Sequence, residues 1–167
     1  MTLRLILTRH AKSSWSDPIM DDHDRPLNNR GRASAKAVGT WLAARGHVPE
    51  AALVSSAART RETWERASEA FDPAPNASIR PDLYHAEPEA MLAALRDATD
   101  QVVMMVAHNP GTAYFAQGIV DAPPPDARFA QYPTGATTVI DFETADWGGV
   151  DWRMGRIVDL VFARDLI

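Results

Sequence analysis

A three-layer α/β sandwich, with a mainly parallel central sheet flanked by helices and a C-terminal antiparallel edge, is the fold this sequence predicts. Three observations predict it. Leu3 to Thr8 and Val102 to Ala107 are short, nearly continuous apolar runs, which suits strands buried on both faces. Strand-like and helix-like segments alternate along the chain, as βαβ units require. Near the C-terminus, Trp147-Gly-Gly149 turns the chain between segments of strand character, which gives an antiparallel edge.

The elements follow in order. Leu3 to Thr8 is the first strand. Asn28 to Arg45 carries Ala33, Ala37, Trp41 and Leu42 at helical spacing and stops at Gly46. Ala51 to Val54 is a second strand, and Ser55-Ser56 supply N-cap hydroxyls for a helix from Ala57 to Phe71. Asp72-Pro-Ala-Pro-Asn76 punctuates the chain, Ile79 to Leu83 reads as a short strand, and Pro88 opens a helix through Arg96. Val102 to Ala107, bounded by Asp100 and His108, is the clearest buried strand. Asn109-Pro110-Gly111 then caps and begins a helix to Ile119. Asp121 to Pro133, with three consecutive prolines, is a loop, and Ala136 to Phe142, Val150 to Met154 and Arg156 to Phe162 read as strands.

The chain has 167 residues, which by size is one domain, residues 1–167, with enough length to bury a core. It has no cysteine, so disulfides, thiolate metal sites and a cysteine nucleophile are excluded. Seventeen basic against 22 acidic residues give a formal charge of −5, which argues against binding nucleic acid in bulk. The apolar start is broken by Arg4, Arg9 and His10, too early for an export signal, and no run approaches the roughly 20 residues needed to cross a bilayer. A cytoplasmic location, with no membrane or nucleic-acid partner, is the expectation.

In an open α/β sheet, ligands bind beyond the carboxyl ends of the strands. Arg9-His10 follows the first strand, Arg59 lies one turn behind Ser55-Ser56, and His108 follows the Val102 to Ala107 run. One histidine after a strand is usually a packed residue. Two imidazoles, two guanidiniums and two helix N-termini at one sheet edge describe a site for a dianionic phosphoryl group.

Leu-Thr-Arg-His-Ala-Lys-Ser-Ser-Trp, residues 7–15, resembles the Arg-His-Gly signature of the histidine phosphatase (phosphoglycerate mutase-like) superfamily, in the form found in SixA-type phosphohistidine phosphatases. Asp24-Arg-Pro-Leu-Asn-Asn-Arg-Gly31, Leu53 to Thr63, Val106-Ala-His-Asn-Pro-Gly111 and Pro133-Thr-Gly-Ala136 are similar to further family segments, in the same order. The resemblance covers most of the chain and implies a phosphoglycerate mutase-like fold. It implies that His10 is the nucleophile, through a phosphohistidine intermediate, and that Arg9, Arg59 and His108 bind the phosphoryl oxygens with no metal or other cofactor. Arg59 rather than Arg61 falls where the family pattern places its arginine.

Two departures matter. The family's glycine after the signature histidine is Ala11 here. Where many members carry Leu-x-Glu, with the glutamate as proton donor to an alkoxide, this chain has Leu83-Tyr84-His85. Loss of that acid favours a phosphoramidate substrate, and so a protein-borne phosphohistidine as partner, over a phosphorylated small molecule. His85, or Glu87 in the next loop, stays open as a donor. The alternatives are a small-molecule or phosphopeptide phosphomonoesterase and a non-catalytic phosphoprotein-binding module. Ser16, with Lys12, Ser13 and Ser14, lies in the loop after His10 and either donates to the phosphate or faces water. His23 in its acidic stretch is read as a solvated loop residue rather than a metal ligand, His47 as a helix-end surface residue, and Trp15 as lining a pocket mouth.

Overall fold

The computed structural model describes residues 1–167. Its strands are β1 (Thr2–Arg9), β2 (Ala51–Ser55), β3 (Ala77–Arg80), β4 (Val102–Ala107), β5 (Thr137–Glu143) and β6 (Arg156–Val161). Its helices are α1 (Asn29–Ala44), α2 (Ala58–Ser68), α3 (Pro88–Arg96), α4 (Gly111–Ile119) and the single turn α5 (Arg128–Gln131). The strands form one sheet in the order β3-β2-β4-β1-β5-β6. β1 to β4 run parallel, β5 is antiparallel to β1, and β6 is antiparallel to β5.

The apolar runs form central strands because both faces are covered. Leu3, Leu5 and Leu7 of β1, with Val103 and Met105 of β4, pack under α3 and α4. Ile6, Met104 and Val106 alternate with them and pack with Val38 and Leu42 of α1 and Trp64 of α2. Arg4 is the one charge in β1 before its last residue, Arg9. Its fork closes on Asp141, directly opposite on β5, at 2.7 and 2.9 Å, so the charge is paired where the pleat turns it inward.

Four sequence expectations change in the structure. β3 ends at Arg80, because Pro81 has no N–H for the ladder, and Pro81–Leu83 forms a 3₁₀ turn. Val150 to Met154 is not a strand. It turns at Arg153 (φ +65°), and Trp152 packs edge-on against Phe115. The loop before Pro133 contains α5. His47 is not a surface residue: it is buried, with Nε2 2.9 Å from Asp159 and Nδ1 3.3 Å from Arg4.

The register builds the functional end of the sheet. Arg9 pairs with Ala107, and Val54 with Val106, so the residues that follow β1, β2 and β4 emerge side by side. Two glycines let the backbone close around them. A side chain at Gly31 would meet the Lys12 carbonyl at 2.0 Å, so only glycine lets the start of α1 pack on the loop after β1. Gly135 takes φ +76° and donates its N–H to the carbonyls of Arg9 and His10, fixing the Pro133-Ala136 loop against them.

Candidate active site

A cavity of about 340 Å³ opens at the carboxyl ends of β1, β2 and β4. Arg9, His10, Arg25, Arg59, His85 and His108 line it, with Lys12, Ser13 and Trp15 from the loop after β1. No lining residue is acidic. Among the site residues read from the sequence, the structure thus brings Arg9, His10, Arg59, His85 and His108 together. Ser16 lies outside this wall: it is exposed and shares a hydrogen bond with the Ser14 hydroxyl, while Ser13 takes the place facing the cavity.

His10 is 6% exposed and its Nδ1 lies 2.7 Å from the Ala11 carbonyl. A carbonyl only accepts, so Nδ1 carries the proton and Nε2 keeps its lone pair. Thr63 of α2 holds the next link: its hydroxyl accepts the Ala11 N–H at 3.0 Å and donates to the Arg59 carbonyl at 2.7 Å. Burial pushes the His10 pKa down to about 3, helped by the positive charges of Arg9, Arg59 and Arg25. His108, whose ring centroid lies 5.3 Å from that of His10, is pushed down to about 2, again by burial first. Both rings are neutral at physiological pH.

Ser55 is not a helix cap. Its buried hydroxyl lies 2.7 Å from His108 Nε2, while the cap position of α2 falls on Ala57, which makes no side-chain bond. Ser56 instead bonds His23 Nε2. The Asn109 side chain braces the loop below, accepting from Ala113 and donating to the carbonyls of Gln131 and Tyr132.

Arg25 and Asp22 carry roles that the sequence did not single out. Asp22 sits in a 3₁₀ turn (Asp22–Asp24) beside the cavity. It accepts from the Tyr84 hydroxyl at 2.6 Å and from Arg25 and Arg59, both at 3.1 Å, and His85 Nε2 is 3.7 Å away. The Tyr84 bond, followed by the two arginines, holds this carboxyl well below the usual carboxylate range. Arg25 also donates to Ser13 and stacks 3.7 Å over the Trp15 ring. Its only sequence signal is its place in the Asp24 to Gly31 segment, and Asp22 has none.

Four buried side-chain nitrogens have no partner: Nε of Arg9, Arg25 and Arg59, and Nδ1 of His108. All four belong to the wall of this one cavity, and a buried unsatisfied donor costs about 1–3 kcal/mol, more when charged. Arg9, Lys12, Arg25 and Arg59 bring four cations to the wall against one adjacent carboxylate, Asp22, which pairs with Arg25 and Arg59, so positive charge is left over for a phosphoryl dianion.

Fold and site together define a phosphoryl-group-handling protein with two neutral histidines and three arginines at one sheet edge. The family model for the histidine phosphatase superfamily (branch 1) matches residues 5–86. An uncharacterized protein of Mycobacterium tuberculosis is 34% identical over 139 residues, 79% of this chain and 85% of that one. An uncharacterized chloroplastic protein of Arabidopsis thaliana is 53% identical over 60 residues, 36% of this chain, and the match spans only 28% of that protein's length. Among solved structures, a candidate phosphohistidine phosphatase SixA from Nakamurella multipartitia superposes with a TM-score of 0.81 at 26% identity, covering 97% of this chain and 96% of that one. This chain belongs to the histidine phosphatase superfamily, and it is a phosphatase with a fold of the SixA type.

Proposed function

We propose that the protein removes a phosphoryl group from phosphohistidine through a covalent intermediate on His10. The observation that carries this reading is one cavity wall holding three guanidiniums and a second imidazole, with buried nitrogens that no protein group satisfies, beside a neutral imidazole whose Nδ1–H is tied to Ala11. In the first step Nε2 of His10 attacks phosphorus in line. The P–N bond of a ring-protonated phosphohistidine breaks, and its electron pair returns to the departing imidazole, which leaves neutral. In the second step a water attacks phosphorus, the Nε2–P bond breaks, and both hydrogens of the water stay with the product phosphate. The Nδ1–H to Ala11 stays in place throughout. Arg9, Arg25, Arg59 and His108 face the charge carried on the phosphoryl oxygens; with Ser55 donating to His108 Nε2, the ring proton of His108 sits on Nδ1.

A substrate whose leaving group needs no strong acid fits the walls best. An alkoxide requires a proton donor, yet no carboxyl lines the cavity, and the adjacent one, Asp22, is held ionised by three donors. Glu87 is exposed and lines only the neighbouring cavity beyond His108. His85 lines both cavities and supports a second reading, a phosphomonoesterase with His85 as the acid.

Rapid quench with a radiolabelled phosphohistidine peptide tests the first reading: acid-labile label is expected on His10, and an unlabelled wild-type protein overturns it. Turnover of the same peptide beside alkyl phosphates separates the two readings. His85→Ala is expected to change peptide turnover by less than about threefold, whereas an acid role predicts a loss of roughly 10²-fold or more on alkyl phosphates.

A further inference from the structure

A second cavity of about 340 Å³ adjoins the phosphoryl cavity and shares Lys12 and Thr134 with it. Lys12, Arg30 and Arg164 bring three cations to its wall, and none of its lining residues is acidic. In a chain of net charge −5 such a gathering is not a sample of the average surface. Asp126 and Asp165 pair with Arg128, and the Arg164 charge reaches Asp126 only through space. Lys12, Arg30 and Arg164 form no ion pair. Ser34 adds an independent signal. It is 7% exposed and its side chain lines this cavity. Phe162 adds an apolar ring to the wall.

We propose that this cavity is a second anion subsite. The substrate then carries a further carboxylate or phosphate near the phosphoryl group, and that second group sets specificity. The proposal rests on His10 being the phosphoryl acceptor, since the shared wall of Lys12 and Thr134 is what makes the two cavities one extended site. The second anion has two sources: an acidic side chain close to a protein-borne phosphohistidine, or an acidic group on a small phosphorylated metabolite.

The test compares matched pairs: phosphohistidine peptides with Glu or Gln at each of the two positions on either side, and phosphorylated small carboxylates with their amides. Phosphoimidazole, which has no second anion, is the reference. Wild-type kcat/KM is expected to favour the acidic member of at least one pair by roughly tenfold, mainly through KM and less so at high salt. The Arg30→Ala/Arg164→Ala protein is expected to lose that preference while turning over phosphoimidazole at the wild-type rate. The pair that responds identifies the source. No preference in any pair, or a preference that survives in the double variant, overturns the subsite. Calorimetric binding of the same pairs to His10→Ala protein reads the subsite without turnover, and equal affinities there also overturn it. Failure of wild-type protein to label on His10 is a separate result, and counts against the phosphatase reading alone.

Discussion

At the amino end of β1, half-buried Arg4 forks onto Asp141 and buried His47 is held by Asp159, so the cation and the imidazole there both have a carboxylate. At the carboxyl end of the same strand Arg9, Arg25 and Arg59 each keep a buried Nε without a partner, and so does Nδ1 of His108. The residue types at the two ends are the same. The difference lies in carboxylate supply. A paired end contributes to stability, whereas an end with unspent donors holds binding capacity for a ligand, at a cost to the free protein.

Several changes break or sharpen that contrast. On the proposed nucleophile role of His10, His10→Ala is expected to lower phosphatase kcat by at least about 10⁵-fold with an unchanged circular dichroism spectrum. Arg59→Ala is expected to lower kcat by roughly 10²–10³-fold, the usual loss for one charge-stabilising donor. Steady-state kinetics reads both, and a change in KM alone would assign Arg59 to ground-state binding instead. His47→Ala, at the paired end, is expected to cost about 1–2 kcal/mol in urea unfolding and leave kcat within about twofold. A large loss of turnover there would dissolve the contrast.

The pH response gives the finest test. The unfolded imidazole titrates near 6.5, whereas folded His10 is depressed to about 3. Above 6.5 both states are neutral and the group contributes no pH dependence. Between 6.5 and about 3 the unfolded chain binds a proton that the folded chain refuses, so stability falls as the pH is lowered through that window. NMR titration of the free protein is expected to show His10 and His108 neutral at pH 5. Saturating phosphate raises both pKa values, because the bound anion supplies the charge partner this end lacks. A His10 titrating near 6.5 in the free protein would contradict its burial.

The legibility of the site divides by how far each signal travels in sequence. Arg9, His10 and His108 follow apolar strands directly, so the strand pattern and the open α/β rule suffice to place them at one edge. Ser55 is visible as a polar residue after β2, but the sequence suggests the wrong role for it, since capping is a local expectation and the bond to His108 crosses 53 positions of chain. Arg25, Tyr84 and Asp22 converge from two loops, and nothing local marks Asp22 among the acidic residues around it. His47 reads as a surface residue in sequence because its partner Asp159 lies 112 positions away.

By itself, the amino-acid sequence determined the layer architecture, the order of the main strands and helices, and the pair of histidines with their arginines, because apolar periodicity and strand ends are short-range properties. Only the tertiary structure decided which donors would remain without partners, which carboxylate would be held ionised beside them, and that Lys12, Arg30 and Arg164 would meet at an adjoining cavity. Those outcomes depend on distances between segments far apart in the chain, and such distances exist only once the sheet has closed its register and the helices have packed on both its faces.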